Sequence, residues 1–116
     1  AELADFVKNR YPDSKSDLFA VFMERGFEIT KDLGYMAMIT MQSWMFLSSY
    51  EKMREKLLKD YSISTMAHLD SMVMGIAFGT SATVFNKKKP DANTKGVYFK
   101  INLDDLDENR EIRGLR

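Results

Sequence analysis

The polar side chains of this sequence offer one candidate catalytic base and one candidate cation site. Its single histidine, His68, ends an apolar run, a position where imidazole more often makes a structural hydrogen bond than acts as a base. Four acids crowd together at Asp104, Asp105, Asp107 and Glu108, but they lack the glycine turn and terminal glutamate of a calcium loop. A helix with an acidic first turn explains them better, so we predict no metal site.

The lysine run at residues 87–89 leaves two interpretations open. It could contact phosphate groups, or it could keep the end of a strand soluble. Most methionines lie in apolar runs and are expected to fill a core: Met36, Met38, Met41, Met45, Met53, Met66, Met72 and Met74. None of these groups identifies a reaction by itself.

The first half of the chain predicts alternating helices and strands. A turn of helix is expected over residues 3–7, and capping residues before an apolar periodicity predict a helix over 16–32, which Gly34 ends. Residues 35–40 are apolar without alternation, which is typical of a strand buried on both faces. A second capping pattern at 48–51 begins an amphipathic helix that lasts to about residue 61.

The second half predicts three more strands and a last helix. Strands are expected at residues 63–69, 81–86 and 97–101, with a methionine- and glycine-rich loop between the first two, and a charged helix at 104–113. The strand–helix–strand spacing predicts a parallel, right-handed crossover. The fold class is therefore α/β: half of a doubly wound sheet with helices on both faces and no glycine-rich nucleotide loop.

Composition bounds the size and the partners. The chain has 116 residues, equal numbers of basic and acidic residues at 17 each, and no cysteine. It is one small domain or part of a larger one, without a net charge that would indicate a nucleic-acid or membrane surface. No apolar run approaches the ~20 residues that span a bilayer. The first residue is not Met, and we expect the chain to be a segment of a longer protein.

Longer strings of residues resemble adenine-N6 DNA methyltransferases. Residues 11–22 (YPDSKSDLFAVF) resemble the segment just after the family's Asn-Pro-Pro-Tyr catalytic loop, and residues 34–40 (GYMAMIT) resemble its fifth strand. The most specific string, residues 42–54 (QSWMFLSSYEKMR), is similar to the loop and helix that follow. Residues 63–69 and 78–85 resemble the sixth and seventh strands. The likeness is greatest to methyltransferases of BREX phage-defence systems and their restriction–modification relatives.

The resemblance implies a partial Rossmann-like sheet of the class I methyltransferase type. Residues 1–90 would form the C-terminal half of the catalytic domain, and residues 91–116 would lead as a strand and charged helix towards the next region. In the family, the glycine-containing loop for S-adenosylmethionine and the Asn-Pro-Pro-Tyr loop come earlier in the chain. No catalytic residue is therefore expected here, and no cofactor is expected to bind this segment alone.

The resemblance also implies which residues would wall the site. Asp17 and Phe19 would lie on the cofactor side. Phe78, in the loop before the seventh strand, would stack on the extruded adenine, although a role as a core plug beneath the loop is equally open. Ligands of open α/β sheets bind beyond the carboxyl ends of strands, which would place Gln42 and Trp44 at the mouth of the site. The methionine-rich loop at residues 70–77 departs from relatives with an aromatic further upstream.

The predicted function is a site-specific DNA adenine-N6 methyltransferase that uses S-adenosylmethionine. It would modify double-stranded DNA in the cytoplasm, within a restriction–modification or phage-defence system, and would not contact a membrane. Two alternatives stay open: a non-catalytic interaction or regulatory domain with a half-Rossmann fold, and another Rossmann-like enzyme such as an RNA or protein methyltransferase. The isolated segment is expected to be inactive and to self-associate through strand 35–40, whose neighbour in the whole fold precedes residue 1.

Overall fold

The computed structural model describes residues 1–113 and builds them into one four-stranded sheet with helices. In chain order the elements are α1 (Glu2–Arg10), α2 (Leu18–Ile29), β1 (Tyr35–Met41), α3 (Glu51–Asp60), β2 (Ser62–Leu69), β3 (Thr80–Asn86) and β4 (Val97–Ile101). Short 3-10 turns cover Gln42–Met45, Ser48–Tyr50 and Leu103–Asp105. The four predicted strands are confirmed to within about a residue at each end, because apolar runs between turn residues mark strands clearly.

The sheet is mixed, with strand order β1-β3-β2-β4. Strand β3 pairs antiparallel with both β1 and β2, and β4 pairs parallel with β2. Strands β1 and β2 therefore run in the same direction, as the crossover prediction requires. They are not hydrogen-bonded neighbours, because β3 lies between them. Their carboxyl ends consequently meet at one edge of the sheet, on either side of the start of β3.

One face of the sheet carries the hydrophobic core. Helices α2 and α3 pack there through Met23, Phe27 and Leu57, around the buried ring of Phe85 from the central strand β3. The Phe27 ring stacks on Tyr61 with centroids 4.0 Å apart. Aromatic packing of this kind contributes beyond the apolar area that it buries.

The opposite face of the sheet is uncovered in the part of the chain that the structure describes. An open apolar groove there is lined by side chains that include Ala37, Ile39, Val84 and Phe99. The prediction of helices on both faces is met on one face only. The prediction that β1 is buried on both faces is also wrong. Met36 and Thr40 are buried, whereas Tyr35 is 64% exposed and Ile39 is 59% exposed. Alternate side chains of a strand point to opposite faces, and α2 and α3 cover only one.

Helix α2 is shorter than predicted because polar groups cap both of its ends. Asp17 is the N-cap. At the other end the Thr30 hydroxyl donates to Gly26 O at 2.7 Å, and Lys87 Nζ donates to the carbonyls of Phe27 and Thr30 at 2.8 Å each. Lys87 thus fits neither interpretation of the lysine run: it satisfies carbonyls that the helix end leaves free. Residue Leu33, with φ of 64°, makes the turn that was expected at Gly34.

Two further predictions, one about a helix cap and one about a whole helix, are wrong. The turn at Ser48–Tyr50 precedes α3 without a side-chain cap, so the second capping pattern does not form. The helix expected at residues 104–113 is absent. There Asp105 accepts from the N–H of Asn102, and Asp107 accepts from the N–H groups of Asn109 and Glu111. Aspartates that take backbone donors in this way compete with helix formation, and turns result. Residues 114–116 lie outside the described residues.

Candidate functional site

Three residues from three segments meet at the carboxyl edge of the sheet. Gln42 directly follows β1, His68 is the last but one residue of β2, and Gly79 precedes β3. The Gln42 N–H donates to Gly79 O at 3.1 Å, and His68 Nε2 lies 2.6 Å from Gln42 Oε1. An amide oxygen only accepts, so in this arrangement His68 Nε2 carries the proton and donates. The hydrogen-bonded role expected for His68 is confirmed, and its partner is a predicted site residue.

Gly79 allows the Gln42 amide to lie against the backbone. A Cβ atom at position 79 would lie within 2.9 Å of all three terminal amide atoms of Gln42, and Oε1 would be the nearest of them. Gly79 does not have the positive φ that favours glycine elsewhere, such as at Gly75 with φ of 77°. The glycine therefore makes room for the neighbouring side chain, and a Cβ at this position would displace the end of Gln42.

Phe78 lies beside this cluster with its ring 64% exposed. Within the described residues Phe78 does not plug the core, because a plug would be buried. The preceding loop turns through Met72 and Gly75, and Arg110 Nη2 donates to Met72 O and Val73 O at 2.7 Å each. A guanidinium that spans two successive carbonyls fixes a loop more tightly than a single bond. The loop before β3 is thus held at both ends, and it presents a free aromatic ring.

Trp44 does not lie at the mouth of the site. Its side chain is only 3% exposed and packs against Phe85, with ring centroids 5.9 Å apart. The indole Nε1 donates to Thr40 Oγ1 at 3.1 Å and to Ser81 Oγ at 3.2 Å. The rule about strand ends places the backbone after β1 correctly, but it does not determine where a side chain points. Trp44 anchors the segment that presents Gln42.

The loop between β1 and α3 is closed by Arg54. Its Nη1 donates to Trp44 O at 3.0 Å and also to Leu47 O. The residues most specific for the family resemblance, 42–54, thus form one structural unit: a buried indole, a loop folded over it and an arginine that binds the loop carbonyls. Sequence reasoning missed this role of Arg54, although its place in that string was a usable signal.

The residues predicted for the cofactor side lie at the start of α2. Asp17 is exposed and uses one carboxylate oxygen to accept from Phe19 N at 3.4 Å. It also lines an open groove between α1 and α2 with Lys15 and Leu18. The ring of Phe19 is half-buried against Tyr50, with centroids 5.9 Å apart. Asp17 can therefore accept a hydrogen bond from a ligand, whereas Phe19 can serve only as part of a wall.

Of the predicted target-side residues, the structure places Gln42 at this edge, hydrogen-bonded to His68 and to the backbone of Gly79, with Phe78 next to Gly79 in the chain, and it buries Trp44. Among residues 1–113 no cluster of His, Asp and Glu has the arrangement of a metal site. No helix in the described range has the length and apolarity that crossing a membrane requires. What the edge offers is a free aromatic face beside a fixed amide, which suits recognition of a flat, hydrogen-bonding group such as a nucleobase.

Comparison with known proteins decides the family. The model of the Eco57I restriction-modification methylase family matches residues 1–73 of this chain. The chain belongs to this family. The match ends at the loop before β3, so it covers α1, α2 and the whole crossover from β1 to β2. The methyltransferase resemblance of these residues is thus confirmed.

Two curated relatives extend the likeness beyond the family match. The adenine-specific methyltransferase BrxX of Escherichia coli O9:H4 (strain HS) is 43% identical over 114 residues, which are 95% of this chain and 9% of that protein. The adenine-specific methyltransferase PglX of Lacticaseibacillus casei (strain Zhang) is 48% identical over 91 residues, 75% of this chain and 8% of that protein. The chain therefore spans less than a tenth of the length of these relatives.

A solved structure confirms the fold class. A Listeria monocytogenes protein assigned to the class I S-adenosylmethionine-dependent methyltransferases superposes with a TM-score of 0.53 and 21% sequence identity. The match covers 72% of this chain and 26% of that one. At this identity the likeness concerns the fold: a partial Rossmann-like sheet, as predicted.

Proposed function

We propose that this chain is part of a site-specific DNA adenine-N6 methyltransferase. The whole protein would use S-adenosylmethionine and act on double-stranded DNA in the cytoplasm, within a restriction–modification or phage-defence system. One observation carries the proposal: an exposed ring, Phe78, stands beside a fixed amide, Gln42, at the carboxyl edge of the sheet. An enzyme that modifies a base of a duplex extrudes that base and holds it by stacking and by edge hydrogen bonds.

The two residues would have distinct roles. Phe78 offers a free ring face for stacking on the extruded adenine. Gln42 offers the amide N–H groups that its bond to His68 leaves unused, and these can donate to a ring nitrogen of the base. Trp44 would contact neither DNA nor base, since it is buried, and would hold the loop in place.

The cofactor side of the proposal rests on Asp17. Bound S-adenosylmethionine supplies an electrophilic methyl group. Asp17 is exposed with acceptor capacity beyond its helix cap, so it fits a place beside a ligand hydroxyl or amino group, and Phe19 would form the wall behind it. The sequence contains neither the glycine loop nor the Asn-Pro-Pro-Tyr of the family, so the 116-residue chain alone is expected neither to bind the cofactor nor to methylate DNA. Separated from the whole protein, it is expected to self-associate.

The test uses the full-length protein. Purified enzyme, S-adenosylmethionine and genomic DNA from an unmodified host should give N6-methyladenine at one recurring sequence, detected by mass spectrometry and single-molecule sequencing. Asp17→Asn should weaken cofactor binding in titration calorimetry while DNA binding stays unchanged. Methylation of cytosine alone, or no methylation by a protein that binds the cofactor, would refute the proposal.

A further inference from the structure

We infer that His68 and Gly79 are positioning residues that act through Gln42, fixing its amide so that its two N–H donors face the extruded base. The inference deepens the proposed function and rests on it. It assigns roles to two residues for which the family resemblance gave none.

The first observation is the hydrogen bond of 2.6 Å between His68 Nε2 and Gln42 Oε1. A glutamine side chain has three rotatable bonds, and an unrestrained one would sample many orientations at the edge of the sheet. With Oε1 occupied by an imidazole donor, the remaining polar group of the amide is its NH₂. No protein acceptor for that group is present among the described residues. The hydrogen bond therefore selects which end of the amide remains free.

The second observation is the contact with Gly79. A Cβ on Gly79 would overlap Gln42 Oε1 and would lie 2.6 Å from Cδ and 2.9 Å from Nε2. The amide thus occupies the space that a side chain of residue 79 would fill, one position in sequence from the exposed Phe78. Gly79 leaves the space that the amide occupies, and His68 binds the amide oxygen there. The hydrogen bond from Gln42 N to Gly79 O also holds the backbones of these two residues next to each other.

The arrangement has a chemical consequence for recognition. Fixed N–H donors match the ring nitrogens of adenine, which accept hydrogen bonds at N1, N3 and N7. A donor held in place before the base arrives loses less entropy on binding than a mobile one. The extruded base is present only during turnover. The fixed amide of Gln42 should therefore affect capture of the base and the rate of methyl transfer. Affinity for the cofactor should not depend on it.

The experiment compares variants of the full-length enzyme in two assays. Single-turnover methylation uses DNA with adenine at the target position, and fluorescence of a second DNA with 2-aminopurine at that position reports base extrusion, since 2-aminopurine has no N6 amino group to methylate. His68→Phe keeps a ring but loses the donor, Gly79→Ala displaces the amide, and Gln42→Ala removes it. Each should slow methyl transfer about two- to tenfold, the worth of one hydrogen bond. His68→Gln, which places a donor at similar reach, should restore most of the rate.

Double variants separate action through Gln42 from independent effects. If His68 and Gly79 act only through Gln42, then Gln42→Ala/His68→Phe and Gln42→Ala/Gly79→Ala should be no slower than Gln42→Ala. Asn93→Ala, at the other end of the sheet, controls for general effects and should match the wild type. Additive losses, failure of His68→Gln to rescue, or equal weakening of cofactor binding would overturn the inference alone. A wild-type enzyme without adenine methylation would refute the proposed function as well.

Discussion

At the scale of single residues, the exposed ring of Phe78 is the feature that most directly tests the proposed function. Base–aromatic stacking is worth about 1–3 kcal/mol, so Phe78→Ala should slow single-turnover methylation by the full-length enzyme about ten- to a hundredfold. The melting temperature should hardly change, because the ring is 64% exposed in this structure. Phe78→Trp should keep or increase the rate, since an open stacking site accepts a larger ring.

The Phe78 variants have an internal control in Phe46, which is also exposed. Phe46→Ala should leave the methylation rate unchanged, because this residue follows the turn at Gln42–Met45 and is not part of the loop before β3. A Phe78→Ala enzyme that melts early yet methylates normally while folded would show that the ring has a structural role instead.

Trp44 makes a second prediction at this scale. Trp44→Phe removes the indole donor to Thr40 and Ser81 and leaves a gap beside Phe85. The 116-residue chain should lose about 1–3 kcal/mol of unfolding free energy in urea denaturation, the typical cost of a disrupted buried hydrogen bond. Thr40 and Ser81 lie 3.3 Å apart and can still bond each other, which keeps the loss within this range. A loss below about 0.5 kcal/mol, the usual effect of a surface substitution, would contradict the anchoring role.

At the scale of elements, the packing of α2 against α3 includes a half-buried carboxylate. Burial raises the pKa of Glu24, and Lys56 on α3 opposes the shift. The folded state thus favours the neutral acid. Neutral Glu24 contributes its full stabilisation below the pKa that this carboxyl has in the unfolded chain, near pH 4. That stabilisation is lost as the pH rises through the higher pKa of Glu24 in the folded chain. Glu24→Gln should therefore be more stable than the wild type at neutral pH, and the difference should shrink towards pH 4.

Urea denaturation of both chains between pH 4 and 8 measures this difference. Glu55→Gln, an exposed position on α3, makes the same change of net charge without the burial. If the stability difference between Glu24→Gln and wild type grew as the pH fell, the direction of the shift would be wrong. If Glu55→Gln reproduced the whole effect, net charge would explain it and burial would not.

Elements also show how far the sequence determines the fold. The strands were predictable because apolar runs between turn residues have few other structures available. The helix at residues 104–113 was not, because its charged residues fit an amphipathic helix while Asp105 and Asp107 bind backbone donors in turns. The insertion of β3 between β1 and β2 depends on long-range pairing, which local periodicity does not encode.

The candidate site, like the fold, was predictable from the sequence only in part. The rule about strand ends placed Gln42 at the correct edge, and the family resemblance placed Phe78 in the loop beside it. The direction of the Trp44 side chain and the fit of Gly79 under an amide are tertiary facts, set by which atoms pack against each other. His68 was identified as a hydrogen-bonding residue, but its partner 26 positions away in sequence was not predictable from spacing.

At the scale of the whole molecule, the described residues form a half-covered sheet. Strand β1 is at the end of the strand order, so one of its edges has no strand partner within residues 1–113. The groove on the uncovered face is apolar and includes Ile39 and Phe99, which are both more than half exposed. A free strand edge next to an exposed apolar face is a template for association with another chain.

The isolated 116-residue chain should therefore form dimers or larger assemblies in light scattering, in a concentration-dependent way. Ile39→Lys places a charge in the middle of the uncovered face and should shift the population towards monomer. Leu58→Lys is the matched control, because Leu58 is similarly exposed but lies on helix α3, on the covered side of the sheet. Its assembly should equal that of the wild type. A wild-type chain that stays monomeric at millimolar concentration, with β1 protected from hydrogen exchange, would show that neither the edge nor the face drives association. Equal dissociation by both lysine variants would mean that the contact lies elsewhere.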